Sequence, residues 1–134
     1  MDLTRTLCRD SQSPWGELFH VIASVPTEAA KTAAKTPITF AIAAGSHAAA
    51  SPPLPLAAYV YAVPRGKEAF ATVLSGSEDD LAHETANRVA LLCARRFGRP
   101  CYVALSAAST PWDSALICQE CVKVVNDGDR SAST

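Results

Sequence analysis

Between Ser77 and Phe97 the apolar residues recur every three or four positions, whereas the segments before and after alternate every second position. One amphipathic helix set among strands is what such a change of period encodes. Leu81, Ala82, Thr85, Ala86, Val89, Leu92, Cys93 and Phe97 form the stripe expected to lie on a core. His83, Glu84, Asn87, Arg88 and Arg95 fall mainly elsewhere. Ser77 suits the N-cap, with Asp80 three positions later and Glu78 and Asp79 meeting the positive helix end. Gly98 fits the left-handed residue after the last turn, and Pro100 bars continuation.

The alternating segments are short. Residues 19–25 (FHVIASV) end at Pro26, and residues 38–44 (ITFAIAA) end at Gly45. Residues 57–63 and 69–75 are rich in aromatic and β-branched side chains, and 64–67 (PRGK) supply turn chemistry between them, so they read as a hairpin. CYVALSA, after Pro100, is a further strand. A second helix is expected over residues 113–125. Residues 27–36 suit a short helix or a loop, with Thr27 as a possible N-cap, and 46–55, with three prolines, suit a loop. Four to five strands with hairpin connections and two main helices imply an α+β fold, an antiparallel β-sheet with both helices packed on one face.

At 134 residues one core is expected, spanning 18–126, with flexible segments at 1–17 and 127–134. Apolar residues make up 49% and charged residues 19%, the balance of a folded chain. Twelve basic against thirteen acidic residues give no long-range pull on phosphate or on anionic membranes, so neither nucleic acid nor a membrane is an expected partner. Without a signal-like or spanning apolar run, a soluble intracellular protein is expected, in the cytoplasm with the nucleus as a second compartment.

No constellation of reactive residues emerges, and no catalytic, cofactor-binding or metal-binding residue is assigned. Cys118 and Cys121 form C-x-x-C, but no second ligand pair stands at zinc spacing, and the motif falls inside a helix instead of at its N-terminus. Reduced, buried thiols are the expectation for most of Cys8, Cys93, Cys101, Cys118 and Cys121. His20, His47 and His83 share no ligand spacing. Arg88, Arg95, Arg96 and Arg99 concentrate charge at one end of the long helix. They complement its dipole, with Glu84 pairing to Arg88, or else form a basic edge for an acidic protein surface.

The run ETANRVALLCARRFGRPCYVALSAAST followed by ALICQECVKVV resembles the proteasome assembly chaperone 4 family. Its elements match in order: a helix with Ala86 to Ala90, a basic end at Arg95 to Pro100, a strand at Tyr102 to Ser106, and a final helix opening at Ala115 to Glu120. The upstream hairpin ending Leu74 to Gly76 fits as well, so the resemblance spans roughly residues 56–126, and the earlier strands by order alone. It departs at 46–55, an Ala/Pro loop where some relatives carry more strand. Such a resemblance implies a non-enzymatic chaperone without cofactors. It would form a heterodimer with a proteasome assembly chaperone 3-like protein and promote α-ring assembly of the 20S core particle by binding α5. Arg95, Arg96, Arg99, Tyr59, Tyr61 and Tyr102 are the expected partner-binding residues. The alternatives are a small C-x-x-C redox or zinc protein and an unrelated dimeric adaptor.

Overall fold

The computed structural model describes residues 4–12, 18–26, 36–44, 56–76, 80–106 and 114–132. Six strands and two helices follow in the order β1 (Thr4–Gln12), β2 (Leu18–Pro26), β3 (Ile38–Ala44), β4 (Leu56–Arg65), β5 (Glu68–Gly76), α1 (Asp80–Phe97), β6 (Cys101–Ser106) and α2 (Ser114–Ala132). The α+β class and the two helices are as expected. The expectations for residues 27–35, 45–55 and 77–79 lie outside the described residues, as does His47.

The strands form one sheet in the order β1-β2-β3-β6-β4-β5. Every neighbouring pair is antiparallel except β3 and β6, which run parallel. The sheet is thus antiparallel as expected at every pairing but this one. The chain leaves the β4–β5 hairpin, crosses β4 as α1, and returns as β6 in the slot between β3 and β4. Entering that slot antiparallel to β4 makes β6 parallel to β3. The α1–β6 turn is stitched there: Gly98, at φ +64°, donates its N–H to Ala94 O at 3.0 Å, and Pro100 O accepts the Ile38 N–H at 2.9 Å. A glycine is needed because side chains crowd this left-handed conformation. Gly66, at φ +63°, does the same service in the β4–β5 turn.

Both helices cover one face of the sheet. α1 packs on β4, β5 and β6, and α2 packs on α1, β1 and β2. Under them lie Phe19, Val21, Ile38, Phe40, Ile42, Val60, Val103 and Leu105, all at most 1% exposed. Burying side chains of this size contributes about 1.5–3 kcal/mol each. The helix stripe differs in detail from its expected membership. Ala82, Ala86, Ala90 and Ala94 recur at four-residue spacing and are fully buried, as are Val89 and Cys93, whereas Leu81 is exposed and Leu92 and Phe97 only half-buried. Buried Ala58 and Ala62 on β4 add to these small residues under α1.

The edge of the sheet departs from what local composition suggests. Local composition makes residues 1–17 a flexible segment, yet Thr4–Gln12 pairs with β2 over nine positions. The periodicity of TRTLCRDSQ is apolar at Leu7 alone, and Leu7 packs against the core. Arg9 reaches across to Glu120 of α2 as a hydrogen-bonded ion pair. Long-range pairing therefore holds a strand that local hydrophobicity does not mark. α2 likewise runs past residue 126, to Ala132.

Thr85 is 0% exposed and its Oγ1 has no hydrogen-bond partner among the described residues. A buried hydroxyl with nothing to bond costs free energy that a methyl of the same shape does not. Thr85→Val is therefore expected to raise stability by about 1 kcal/mol, read as a higher denaturation midpoint at unchanged slope. A lower midpoint would contradict this account of the site.

Candidate protein interface

The face of the sheet away from the helices is built by registers that line up across all six strands. One row runs Thr6, Ser24, Thr39, Tyr102, Tyr61, Thr72. The next runs Cys8, Ile22, Ala41, Ala104, Tyr59, and a third Asp10, His20, Ala43, Ser106, Leu56. Val63 and Phe70 pair beyond the first row at the hairpin end. Alternation along each strand forces this arrangement, because the partners of these residues in sequence are the ones buried under the helices.

All three tyrosines selected from the sequence fall together here. Tyr61 and Tyr102 stack with ring centroids 4.4 Å apart, and Tyr59 lies 6.1 Å from Tyr102 in a tilted arrangement. They are half-buried by one another and by the small side chains around them. Ile22, Leu56, Val63 and Phe70 are 39–57% exposed on the same face. Among the described residues charge is confined to its margins: His20 Nδ1 lies 2.6 Å from Asp10 Oδ1 at one corner, and Arg65 pairs in register with Glu68 at the hairpin tip. A broad face of aromatic, aliphatic and hydroxyl groups with charge at its rim has the composition of a protein interface.

The arginines divide into two groups. Arg95 and Arg96 are exposed in the last turn of α1. Arg99 instead donates from Nη1 to Thr36 O at 3.3 Å, tying the turn after α1 to the residues before β3. Arg88 pairs with Glu84 at 3.4 Å, the i,i+4 contact expected from the sequence. These basic groups lie on the helix side, so the structure does not bring them together with the tyrosines.

Four of the five cysteines, Cys93, Cys101, Cys118 and Cys121, are buried, and Cys8 is exposed on β1. A hydrogen bond to Cys93, followed by burial, pushes the Cys101 thiol far up, and burial does the same to Cys121. Cys118 is pushed up to about 11, by burial first and Cys93 second, against a smaller opposing pull from Arg88. Such thiols stay protonated and unreactive. Among the described residues no group of three or more His, Cys, Asp or Glu side chains is placed to hold a metal ion. At about pH 8 a thiol reagent is expected to label Cys8 alone within minutes, and the other four only on unfolding. Because the folded state holds the Cys118 proton longer than the unfolded chain does, stability should fall as pH rises from the ordinary thiol range to about 11. Rapid native labelling of a second cysteine would contradict the burial.

No family model matches the chain. Proteasome chaperone 4 of Saccharomyces cerevisiae is 27% identical to it over 129 residues, covering 86% of each. The chain is thus similar to a proteasome assembly chaperone 4 protein over most of its length. Its fold is also that of a chain in the crystal structure of a chaperone complex for yeast 20S proteasome assembly, with TM-score 0.72 and 23% identity. That match covers 95% of this chain and 98% of the other. Each match covers 86% or more of this chain and so extends into the β1–β3 half, where the sequence resemblance rested on the order of elements alone. No helix among the described residues is long and apolar enough to cross a membrane.

Proposed function

We propose that the chain is a non-catalytic proteasome assembly chaperone. It pairs through the open sheet face with a proteasome assembly chaperone 3-like protein, and the pair promotes assembly of the α-ring of the 20S core particle by binding α5. It acts in the cytoplasm and nucleus and is absent from the finished particle. The single observation that carries the reading is the open face itself, three clustered tyrosines within an uncharged surface, on a chain related to a proteasome chaperone. A second protein must cover such a face, since a soluble monomer rarely exposes more than a few hundred Å² of contiguous apolar surface. Client capture is assigned to Arg95 and Arg96, whose guanidinium forks stand exposed on the opposite side and suit carboxylates.

Affinity purification of the tagged chain is expected to recover one chaperone-sized partner together with proteasome α-subunits that have no β-subunits. Depletion is expected to raise free α-subunits or malformed rings. Recovery of no α-subunit, with assembly intermediates unchanged on depletion, overturns the assignment. Reversing Arg95 and Arg96 to glutamate should slow client association and steepen its salt dependence while the chaperone pair stays intact. A salt response identical to that of the native protein would remove these arginines from the client site.

A further inference from the structure

α1 and α2 pack against each other over the sheet and leave a groove of about 510 Å³ between them. Leu92 of α1 and Leu116 and Val122 of α2 form its apolar floor, packed on the core below and still partly in water. Ala115, Gln119 and Lys123, all exposed, make its outer wall.

Charge is gathered around this floor. On α1, Leu92 stands between Arg88, four positions before it, and Arg95 and Arg96, three and four after, the spacing that puts side chains on one face of a helix. Lys123 answers them from α2, half exposed. Burial raises the Cys118 thiol in the groove lining and Arg88 pulls it back, which sets that guanidinium beside the groove. The acids near by are already engaged: Glu84 pairs with Arg88 at 3.4 Å, and buried Glu120 is held by Arg9, with Lys123 at 3.9 Å. Among the described side chains the groove is therefore a basic patch with an apolar floor, on a chain whose net charge is -1.

We propose that this groove binds an acidic amphipathic helix, with its apolar side chains on Leu92, Leu116 and Val122 and its carboxylates against Arg88, Arg95, Arg96 and Lys123. Charge complementarity selects the acid, and length selects the helix. Arg88 to Arg96 spans about 12 Å along α1, close to the roughly 10 Å between anchors i and i+7 of a helix laid in a groove. A small anion could answer one guanidinium, but only a segment of that length reaches both ends and covers the floor between them. A helix lying in the valley of two packed helices also repeats the arrangement of a bundle. That the helix belongs to a proteasome α-subunit rests on the function proposed above, whereas the preference of the groove does not.

The probe is a labelled peptide with leucine at i, i+4 and i+7 and glutamate and alanine elsewhere, titrated into the full chain by fluorescence anisotropy. It should bind. A counterpart with lysine for glutamate, and one shuffled so that the leucines no longer share a face, should each bind about tenfold more weakly or worse. Ala115→Trp, which fills the groove from an exposed position, should weaken the acidic probe about tenfold or more, and the isosteric Gln119→Glu about threefold. Tyr61→Glu, on the open face of the sheet, should leave it unchanged, and thermal melts confirm that each variant is folded. No binding of the acidic probe overturns the proposal. So does equal binding of the lysine counterpart, or binding untouched by both Ala115→Trp and Gln119→Glu. Excess acidic probe should also displace an α-subunit from the chaperone pair. Capture of an α-subunit that resists both the probe and Ala115→Trp overturns the groove as the client site and leaves the chaperone assignment standing. Probe binding by a chain that captures no α-subunit sinks that assignment and keeps the groove.

Discussion

Tyr61→Glu is expected to abolish capture of the partner chaperone while the protomer keeps its fold. Tyr61 sits in the middle of the open face, stacked on Tyr102, in a register row that holds no charged residue among the described strands. Buried tyrosines at interface centres are typical hot spots, and a carboxylate sealed there without a partner adds a desolvation cost. Together these should weaken binding by about 2–4 kcal/mol, roughly thirty- to a thousandfold in Kd. The protomer itself loses little, because Tyr61 is only half-buried and the stack with Tyr102 is worth about 0.5–1.5 kcal/mol. Tyr61→Phe keeps ring and stack and should bind almost normally. Titration of partner into both variants, alongside thermal melts, checks this. Native affinity in the glutamate variant would move the interface to another surface.

Phe40→Ala is expected to be the most damaging single truncation in the core. Phe40 is 0% exposed on β3, paired with Ala23 on one side and Val103 on the other, where the antiparallel half of the sheet meets the parallel step. Neighbours held in ladders on both sides cannot collapse into the space the ring leaves. The loss should therefore reach about 3–5 kcal/mol. For a domain whose total stability is on the order of 5–15 kcal/mol, much of the protein would unfold near body temperature. Ala41→Val, on the open face one residue along, should leave the melting midpoint within a few degrees. Chemical denaturation of the two variants compares them directly, and a loss under about 1 kcal/mol for Phe40→Ala would show that the core repacks around the gap.

The same pair of neighbouring positions shows where the sequence is readable. Alternation at residues 38–44 is enough to put Ile38, Phe40 and Ile42 on one side of a strand. The three- and four-residue recurrence from Leu81 to Phe97 marks α1 and its buried side, though not that Ala90 and Ala94 are buried and Leu81 exposed, and Gly98 with Pro100 marks its end. These signals are local: each is carried by the geometry of a single element, whose period dictates which side chains share a face. The grouping of the tyrosines is half-legible, since Tyr59 and Tyr61 share a strand face by spacing alone. Tyr102, 41 positions beyond Tyr61, joins them only because β6 pairs with β4. Strand order is decided in the same way. Nothing in ITFAIAA or CYVALS records that the second will lie parallel beside the first, because that follows from the slot α1 leaves open when it crosses β4. The thin apolar content of β1 and the acid within QEC read locally as surface. Arg9 and Glu120, 111 residues apart, meet only when β1 and α2 are packed, and that ion pair, together with Lys123 at 3.9 Å on the same helix, makes the buried carboxylate tolerable. Period and punctuation are written residue by residue, whereas pairing is a free-energy balance among segments distant in the chain, which exists only once they have met.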